Sequence, residues 1–483
     1  MQTPKSSLLS LVLVASSTVL AASSFQDVLP PASKEVTAAT LRHHVEFLSS
    51  DELEGRATTS PGLLRAAIYL ANSLKRAGLE PGGDDGSFMQ RLPLSQLKHT
   101  KVPALSVVTT TGEALEVLYG RDFDFYARGK ATSTAELELT VVSSLEDLPE
   151  TVDVNRAIVM DGNRRERSEW LEARGMGAGE GWGLYLRFGP KSPGKVSTEV
   201  RGGGLQVAGE AAVGPDASDI LVVRGALREA IDAGQISKLK LEVFAEEELL
   251  EDRNVIGVIR GVGTPENPEL ANETIVLSAH IDHIGTKDDA KEGEDSIYNG
   301  ADDDASGTAA ILAIADALGK EPAPARTIVF LLATGEEIGL LGTKWYLDHP
   351  TVALEQTVCN LNFEMIGRPD DLVGGSGKLW LTGYEKTNLG PLFNEQGLTI
   401  VADQRLDQNF YQRSDNYAFV MKGIIGQTLS SYNMHTDYHH VSDEADKLDY
   451  EHMAIAVQSC IEAVKMLADG RVTPTWSEGE GGE

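Results

Sequence analysis

The strongest constraint on the fold is an alternation of continuous apolar segments with helical segments after about residue 246. The segments "TIVLSAH" and "RTIVFLLAT", which begin at Thr274 and Arg326, are largely apolar, as strands are when both faces of their sheet are covered. The segment "ASGTAAILAIADALG", from Ala305, lies between them and places apolar residues at helical spacing. This order predicts an α/β fold with a mixed, mostly parallel central sheet and helices on both faces.

Changes in sequence character divide the rest of the chain. Residues 25–95 read as a helical N-terminal part of the same domain as residues 246–470. Between them, residues 96–245 alternate short strand-like runs with glycine-rich turns, which predicts an inserted, mostly-β domain. The polar segment 471–483 is predicted to be a disordered acidic tail.

The first 22 residues resemble a secretory signal peptide. Lys5 precedes an apolar run from Leu8 to Leu20, which is short for a membrane span, and Ala21 and Ala22 offer small residues for cleavage. We therefore expect an exported protein, periplasmic or secreted, without stable membrane association.

Charge and cysteine content exclude some classes of protein. The 483 residues carry a formal net charge of −31, which argues against nucleic-acid binding because phosphate recognition needs clustered lysine and arginine. The two cysteines, Cys359 and Cys460, lie in an apolar run and in a helical pattern. We expect two buried thiols rather than a disulfide. The oligomeric state stays open.

Polar residues with metal-binding chemistry follow the predicted strands, at the edge where open α/β sheets place their sites. They are His280, the aspartates of "NGADDDASG", the glutamates of "GEE", Glu364 and the histidines of "HTDYHHVSD". Glu364 lies in an apolar strand, where an unpaired carboxylate is costly. Histidine and carboxylate donors without cysteine suit catalytic zinc. Five such donors suit two metals that share one carboxylate.

Together these motifs resemble the di-zinc exopeptidases, a family that includes bacterial secreted aminopeptidases and, more distantly, glutamate carboxypeptidase and the transferrin receptor. The resemblance spans about residues 35–470 and rests on "HVEFLSSDELEGR", "VLSAHIDHIG", "YNGADDDASGTAA", "TGEEIGLLGT" and "DYHHVSDEADKLDY". It implies the zinc exopeptidase fold and two Zn²⁺ per chain. Relatives carry a protease-associated domain where this chain has residues 96–245.

The resemblance also implies the metal ligands. His280 would bind one metal, and Asp303, the middle of three aspartates, would bridge both. Glu337 and His439 would bind the second metal. Glu364 stands where the family usually has aspartate, and we interpret it as a ligand.

Four further roles follow from the resemblance. Glu336 would be the general base that takes a proton from the attacking water. Tyr438 would help to stabilise the developing oxyanion, and Arg413 would contact the substrate near its carbonyl. Asp282 would accept a hydrogen bond from the ring of His280 and so orient it.

Other residues of the same motifs match no ligand position. We predict that His283 and His440 are structural or exposed, and that His435 lies close to the site without binding metal. Asp302 and Asp304 are predicted to cap or shape their turn.

These features together predict an exported metallo-aminopeptidase that removes N-terminal residues from peptides. A carboxypeptidase or dipeptidase of the same fold is the alternative enzyme. A non-catalytic, receptor-like binding protein is the alternative from another class, and the presence of every ligand position and of Glu336 argues against it.

Overall fold

The computed structural model describes residues 29–30, 33–126, 133–161, 164–175, 182–197, 204–208, 220–287 and 290–480. The signal peptide predicted at 1–22 lies outside these residues. The chain divides into two compact units: the terminal unit, residues 1–91 with 252–483, and the inserted unit, residues 92–251. The insertion predicted at 96–245 falls within the inserted unit.

The secondary structure of the described residues follows in chain order. The helices are α1 Ala38–Leu48, α2 Pro61–Ala77, α3 Arg164–Ala173, α4 Gly225–Asp232, α5 Gly307–Leu318, α6 Leu341–Asp348, α7 Leu389–Glu395, α8 Asn416–Val420 and α9 Tyr450–Ala468. The strands are β1 Glu80–Pro81, β2 Met89–Thr109, β3 Ala114–Leu115, β4 Phe123–Tyr126, β5 Leu137–Val142, β6 Arg156–Met160, β7 Leu184–Phe188, β8 Gln206–Val207, β9 Ile220–Val223, β10 Ile236–Ile259, β11 Thr274–His280, β12 Thr327–Ala333, β13 Thr357–Phe363, β14 Leu379–Leu381, β15 Ile400–Ala402 and β16 Ile425–Ser430.

The terminal unit is built on a mixed sheet. Its strand order is β15-β14-β16-β13-β11-β12-β10. Strands β12, β11, β13 and β16 are parallel to their neighbours in this run, whereas β10 is antiparallel to β12 and β14 is antiparallel to β16. The prediction of a mixed, mostly parallel sheet is confirmed.

Helices cover both faces of this sheet. Ile275 and Leu277 of β11 belong to a core that also contains residues of α1, α2, α5 and α9. Val276, which lies between them, belongs to a different core with residues of α6 and α8. Because successive strand side chains point to opposite sides, the two cores lie on opposite faces, as the continuous apolar strands predict.

The inserted unit has its own run of strands and its own core. Its strand order is β10-β5-β6-β7-β9-β4, with β5, β6, β7 and β9 parallel and β4 antiparallel to β9. Its apolar core includes Phe123, Leu186 and Leu221. The described residues of this unit therefore combine a sheet with the two helices α3 and α4.

Local signals in the sequence set the bounds of α2. The Ser60 hydroxyl accepts a hydrogen bond from the Leu63 amide, and Pro61 occupies the first helical position. Gly78 ends the helix with a φ of 97°, a left-handed conformation that glycine adopts readily.

The two cysteines are free and buried, as predicted. Burial raises the pKa of both thiols to about 12. Within the part of the chain that the structure describes, no helix has both the length and the apolar character needed to cross a bilayer.

The C-terminal residues differ from the prediction of a tail disordered from residue 471. Val472 is buried, and its carbonyl accepts a hydrogen bond of 2.7 Å from Nη1 of the buried Arg326. Trp476 forms a backbone bridge with Thr387. The polar composition of this segment predicted disorder, but these contacts connect it to the rest of the terminal unit.

A buried arginine connects the N-terminal helices to two loops of the sheet. Arg56 is 1% exposed. Its Nε donates to the Ile281 carbonyl at 3.0 Å, and its Nη2 donates to the Gly300 carbonyl at 3.0 Å. Its Nη1 donates to the carbonyls of Leu48 and Asn299. One guanidinium thus fixes the loop after β11 and the loop before α5.

A second buried group joins α1 to α2. His44 is fully buried, and its Nδ1 lies 2.7 Å from the Tyr69 hydroxyl oxygen. Burial, with smaller contributions from Arg76 and His43, lowers the pKa of His44 to about 3. The folded protein therefore holds this ring neutral at pH values where the unfolded chain protonates it.

We predict that His44 makes stability depend on pH between about 6.5 and 3. In this window the unfolded chain binds a proton that the folded chain excludes, so stability falls as the pH falls, by up to about 1.4 kcal/mol per pH unit. Urea unfolding of His44→Gln from pH 7 to pH 4 should show a shallower loss than the wild type. The exposed His349→Gln variant should keep the wild-type slope. Equal slopes in all three proteins would contradict this account.

We further predict that Arg56→Met lowers the free energy of unfolding by about 3 kcal/mol or more, because it leaves buried carbonyls without donors. Arg471→Met is the matched control, since Arg471 is exposed and forms a surface ion pair with Asp469; it should change stability by less than about 1 kcal/mol. Denaturant unfolding of both variants measures the difference. A loss for Arg56→Met no larger than for the control would exclude the structural role of Arg56.

Candidate active site

The sequence-predicted ligands converge at the carboxyl ends of the parallel strands. His280 is the last residue of β11, and Glu364 directly follows β13. Glu337 lies in the loop after β12, Asp303 in the turn before α5, and His439 in the loop after β16. The sheet therefore brings together all five residues that the resemblance implies.

Asp303 lies at the centre of this group. Its Oδ1 is 3.1 Å from His280 Nε2, which is also 3.3 Å from Glu364 Oε1. Its Oδ2 is 3.2 Å from His439 Nε2, which is also 3.3 Å from Glu337 Oε2. Each carboxylate oxygen of Asp303 thus faces a different histidine and a different glutamate.

The donor atoms form two groups that fit metal ions. One group is His280, Asp303 and Glu364; the other is His283, Asp303, Glu337 and His439; within each, the atoms lie within 4.8 Å of one another. In the second group the buried atoms His283 Nδ1, Glu337 Oε1 and His439 Nε2 find no hydrogen-bond partner in the described part of the chain. Such atoms cost about 1–3 kcal/mol each. A cation between them removes that cost, and nitrogen and carboxylate donors without sulfur suit catalytic zinc.

Electrostatics reinforce the central position of Asp303. Burial by itself raises the pKa of this carboxyl, but the neighbouring rings of His283, His280 and His439 outweigh it and hold the pKa well below its ordinary range. The carboxylate is therefore ionised, as a metal ligand has to be.

Glu336 lies beside both groups but belongs to neither. Its main-chain amide donates to Asp282 Oδ1 at 3.1 Å. Burial raises the pKa of Glu336 well above its ordinary value, and the nearby carboxylates of Glu364 and Asp415 raise it further. A carboxylate in this setting accepts a proton readily, which is the property of a general base.

The two aspartates that flank Asp303 shape its turn, as predicted. Asp302 Oδ1 accepts from the Gly367 amide at 2.7 Å. Asp304 Oδ1 accepts from the amides of Met365 and Gly307, both at 3.0 Å. These hydrogen bonds join the turn to the segment that follows Glu364.

Asp282 acts differently from the prediction. The ring of His280 is oriented by the main-chain carbonyl of Asp282, 3.0 Å from Nδ1, whereas the carboxylate oxygen lies 3.8 Å away. The carboxylate instead accepts from the amides of Glu336 and Glu337, at 3.1 and 3.4 Å. The sequence does not show whether the main-chain or the side-chain oxygen of Asp282 contacts the His280 ring.

Three histidines of the metal-binding motifs, His283, His435 and His440, were not predicted as ligands, and each has a different environment. His440 is exposed, and His435 Nε2 lies 3.0 Å from Asp302 Oδ2, close to the site as predicted. His283, predicted to be structural or exposed, is 2% exposed and lies among the donors of the second group, with its Nδ1 2.7 Å from Glu337 Oε1. This contact was not predicted. The sequence feature that indicates it is the position of His283 in the loop that directly follows His280.

A small cavity adjoins Glu364. Arg413 and Tyr438, the residues predicted to contact substrate, both line it. The Tyr438 ring stacks on His439 with centroids 4.0 Å apart. Arg413 lies over the Phe410 ring, 5.1 Å from its centroid. Glu364 Oε2 accepts a hydrogen bond of 2.6 Å from Ser414, which fixes the carboxylate at the cavity wall.

Comparison with known proteins agrees with this geometry. Residues 254–464 match the family model of peptidase family M28. A vacuolar membrane protease of Lachancea thermotolerans is 28% identical over 199 residues, covering 40% of this chain and 18% of the relative. Aminopeptidase YwaD of Bacillus subtilis is 29% identical over 140 residues, covering 29% of this chain and 26% of the relative. The chain thus spans less than a third of the length of either relative.

Solved structures share the fold. An aminopeptidase from Aneurinibacillus sp. strain AM-1 superimposes with a TM-score of 0.56 at 19% identity, covering 91% of this chain and 95% of that one. BSAP, a zinc aminopeptidase from Bacillus subtilis, superimposes with a TM-score of 0.51 at 16% identity, covering 92% and 97%. Residues 254–464 of this chain therefore match the model of peptidase family M28, and the chain shares the fold of these aminopeptidases.

Proposed function

We propose that this chain is an exported aminopeptidase that uses two zinc ions to hydrolyse N-terminal residues from peptides. The observation that carries the proposal is a pair of donor groups that share Asp303, with the half-buried Glu336 beside them and outside both. Relatives named as aminopeptidases support the reaction class. The signal-like sequence of the first 22 residues supports export.

The donor residues form two sets of zinc ligands that share Asp303. His280, Asp303 and Glu364 would hold one zinc, and Asp303, Glu337 and His439 would hold the other. Zinc bound there supplies a Lewis acid that polarises a peptide carbonyl and lowers the pKa of water.

Glu336 provides the proton transfer. Its carboxylate takes a proton from the water that attacks the scissile carbonyl carbon, then delivers it to the amine nitrogen as the C–N bond breaks. The Asp282 carboxylate supports this role, because it holds the main-chain amides of Glu336 and Glu337 in place.

The cavity beside Glu364 suits an apolar side chain next to a charged amine. Its wall includes the charged residues Glu364 and Arg413 together with the apolar or aromatic residues Met365, Trp380, Phe410, Tyr432 and Tyr438. A protonated N-terminal amine is attracted to the adjacent carboxylates by charge complementarity. Because Arg413 lines the same cavity, the relatives named as aminopeptidases are the reason to favour this reaction over that of a carboxypeptidase.

A substrate panel tests the proposal. The wild type, loaded with zinc, should cleave leucine p-nitroanilide and C-terminally amidated leucyl peptides, and should leave N-acetylated peptides intact. Glu336→Gln should retain the metals and lose activity by about 100-fold or more. Glu355→Gln, at an exposed glutamate, should match the wild type.

Three outcomes would contradict the proposal. Cleavage only of substrates with a free C-terminal carboxylate would indicate a carboxypeptidase or dipeptidase. A zinc-loaded protein inert toward the whole panel would indicate a binding protein. Full activity in Glu336→Gln would remove Glu336 from the mechanism.

A further inference from the structure

The second donor group contains one more histidine than the family resemblance implies. His283 lies in the loop after β11, three residues beyond His280. Its Nδ1 is 2.7 Å from Glu337 Oε1 and 3.8 Å from Asp303 Oδ2. Its ring meets the His439 ring edge to face, with centroids 5.6 Å apart.

His283 does not behave as a hydrogen-bonded structural histidine. Both ring nitrogens are buried and have no hydrogen-bond partner among the residues that the structure describes. Nδ1 lies 2.7 Å from Glu337 Oε1, close enough for an ion pair, but the two atoms are not aligned as a hydrogen bond. A buried imidazole with neither nitrogen satisfied is costly. His283 Nδ1 and Glu337 Oε1, which face each other without a hydrogen bond, therefore indicate a ligand that both atoms bind.

The backbone around His283 is shaped to hold the ring there. The His283 amide donates to the Arg56 carbonyl at 3.1 Å, and Arg56 is itself fixed by the loops it connects. Gly300, with a φ of +58°, faces the ring so closely that a Cβ atom would lie 2.6 Å from His283 Cδ2. The segments that carry Arg56 and Gly300 thus restrict rotation of the His283 ring.

We infer that His283 is a fourth protein donor, through Nδ1, to the metal held by Asp303, Glu337 and His439. The inference rests on the proposed two-metal function. It makes the two positions unequal: one has four protein donors, and the other, with His280, Asp303 and Glu364, has three. The four-donor position should therefore bind the first zinc equivalent and release it last, whereas the three-donor position keeps more room for water or substrate.

Zinc X-ray absorption spectroscopy on the full chain tests this inference without an activity readout. With one zinc equivalent, the wild type should show two imidazole ligands per zinc, from His283 and His439. With two equivalents, three imidazoles should be shared by two zinc ions. His283→Ala should show one imidazole per zinc at either loading and should bind the first equivalent at least 10-fold more weakly by calorimetry. His440→Ala, which removes an exposed histidine of the neighbouring loop, should match the wild type.

The outcomes separate this inference from the proposed function. A wild type that binds two zinc ions with one imidazole each would overturn the role of His283 and leave the proposed function intact. The same holds if His283→Ala binds its first equivalent as tightly as the wild type does. A wild type that binds no zinc would overturn both. The wild-type spectra decide the question even if His283→Ala fails to fold.

Discussion

The structure of the site depends on one buried carboxylate that faces two donor groups at once. Asp303 Oδ1 lies 3.1 Å from His280 and its Oδ2 lies 3.2 Å from His439. Because a carboxylate has two oxygens at a fixed separation, its orientation sets the spacing of both groups. The histidines and glutamates come from four different loops, so no local segment can build this arrangement alone. The parallel sheet is what brings the loops to one edge.

The orientation of that carboxylate is itself held by other carboxylates that accept main-chain amides. Asp443 Oδ2 accepts from the amides of Asp302 and Asp303, at 3.0 and 3.1 Å. Arg368 reaches across to the Asp443 and Asp437 carboxylates, at 3.3 and 2.7 Å. The acidic residues around the site therefore serve two purposes: some face the metal positions, and others stabilise the turns that carry them. This division explains why so many carboxylates lie together in one buried region.

The sheet and most of the site could be predicted from the sequence because their signals are local. The continuous apolar sequence of β12 predicts a buried strand by itself, Glu337 lies in the short loop after that strand, and Glu364 lies in a predicted apolar strand. Contacts between distant segments could not be predicted in this way. Arg56 binds the carbonyl of Ile281, 225 residues away, and no periodicity reports such a pairing. The position of His283 among the metal donors was not predicted for the same reason, because its ring and amide contact Gly300 and Arg56, which are distant in sequence. The nature of the inserted unit as a protease-associated domain stays a prediction.

The zinc content of the Asp303→Asn variant tests the central claim, that one carboxylate serves two metals, most directly. The wild type, reconstituted and freed of loosely bound metal, should hold two zinc equivalents per chain, one for each donor group. Asp303→Asn should lose both equivalents together, because each group loses a charged oxygen ligand, while circular dichroism reports an unchanged fold. A folded Asp303→Asn variant that keeps both zinc equivalents, or a wild type that holds none, would contradict the account.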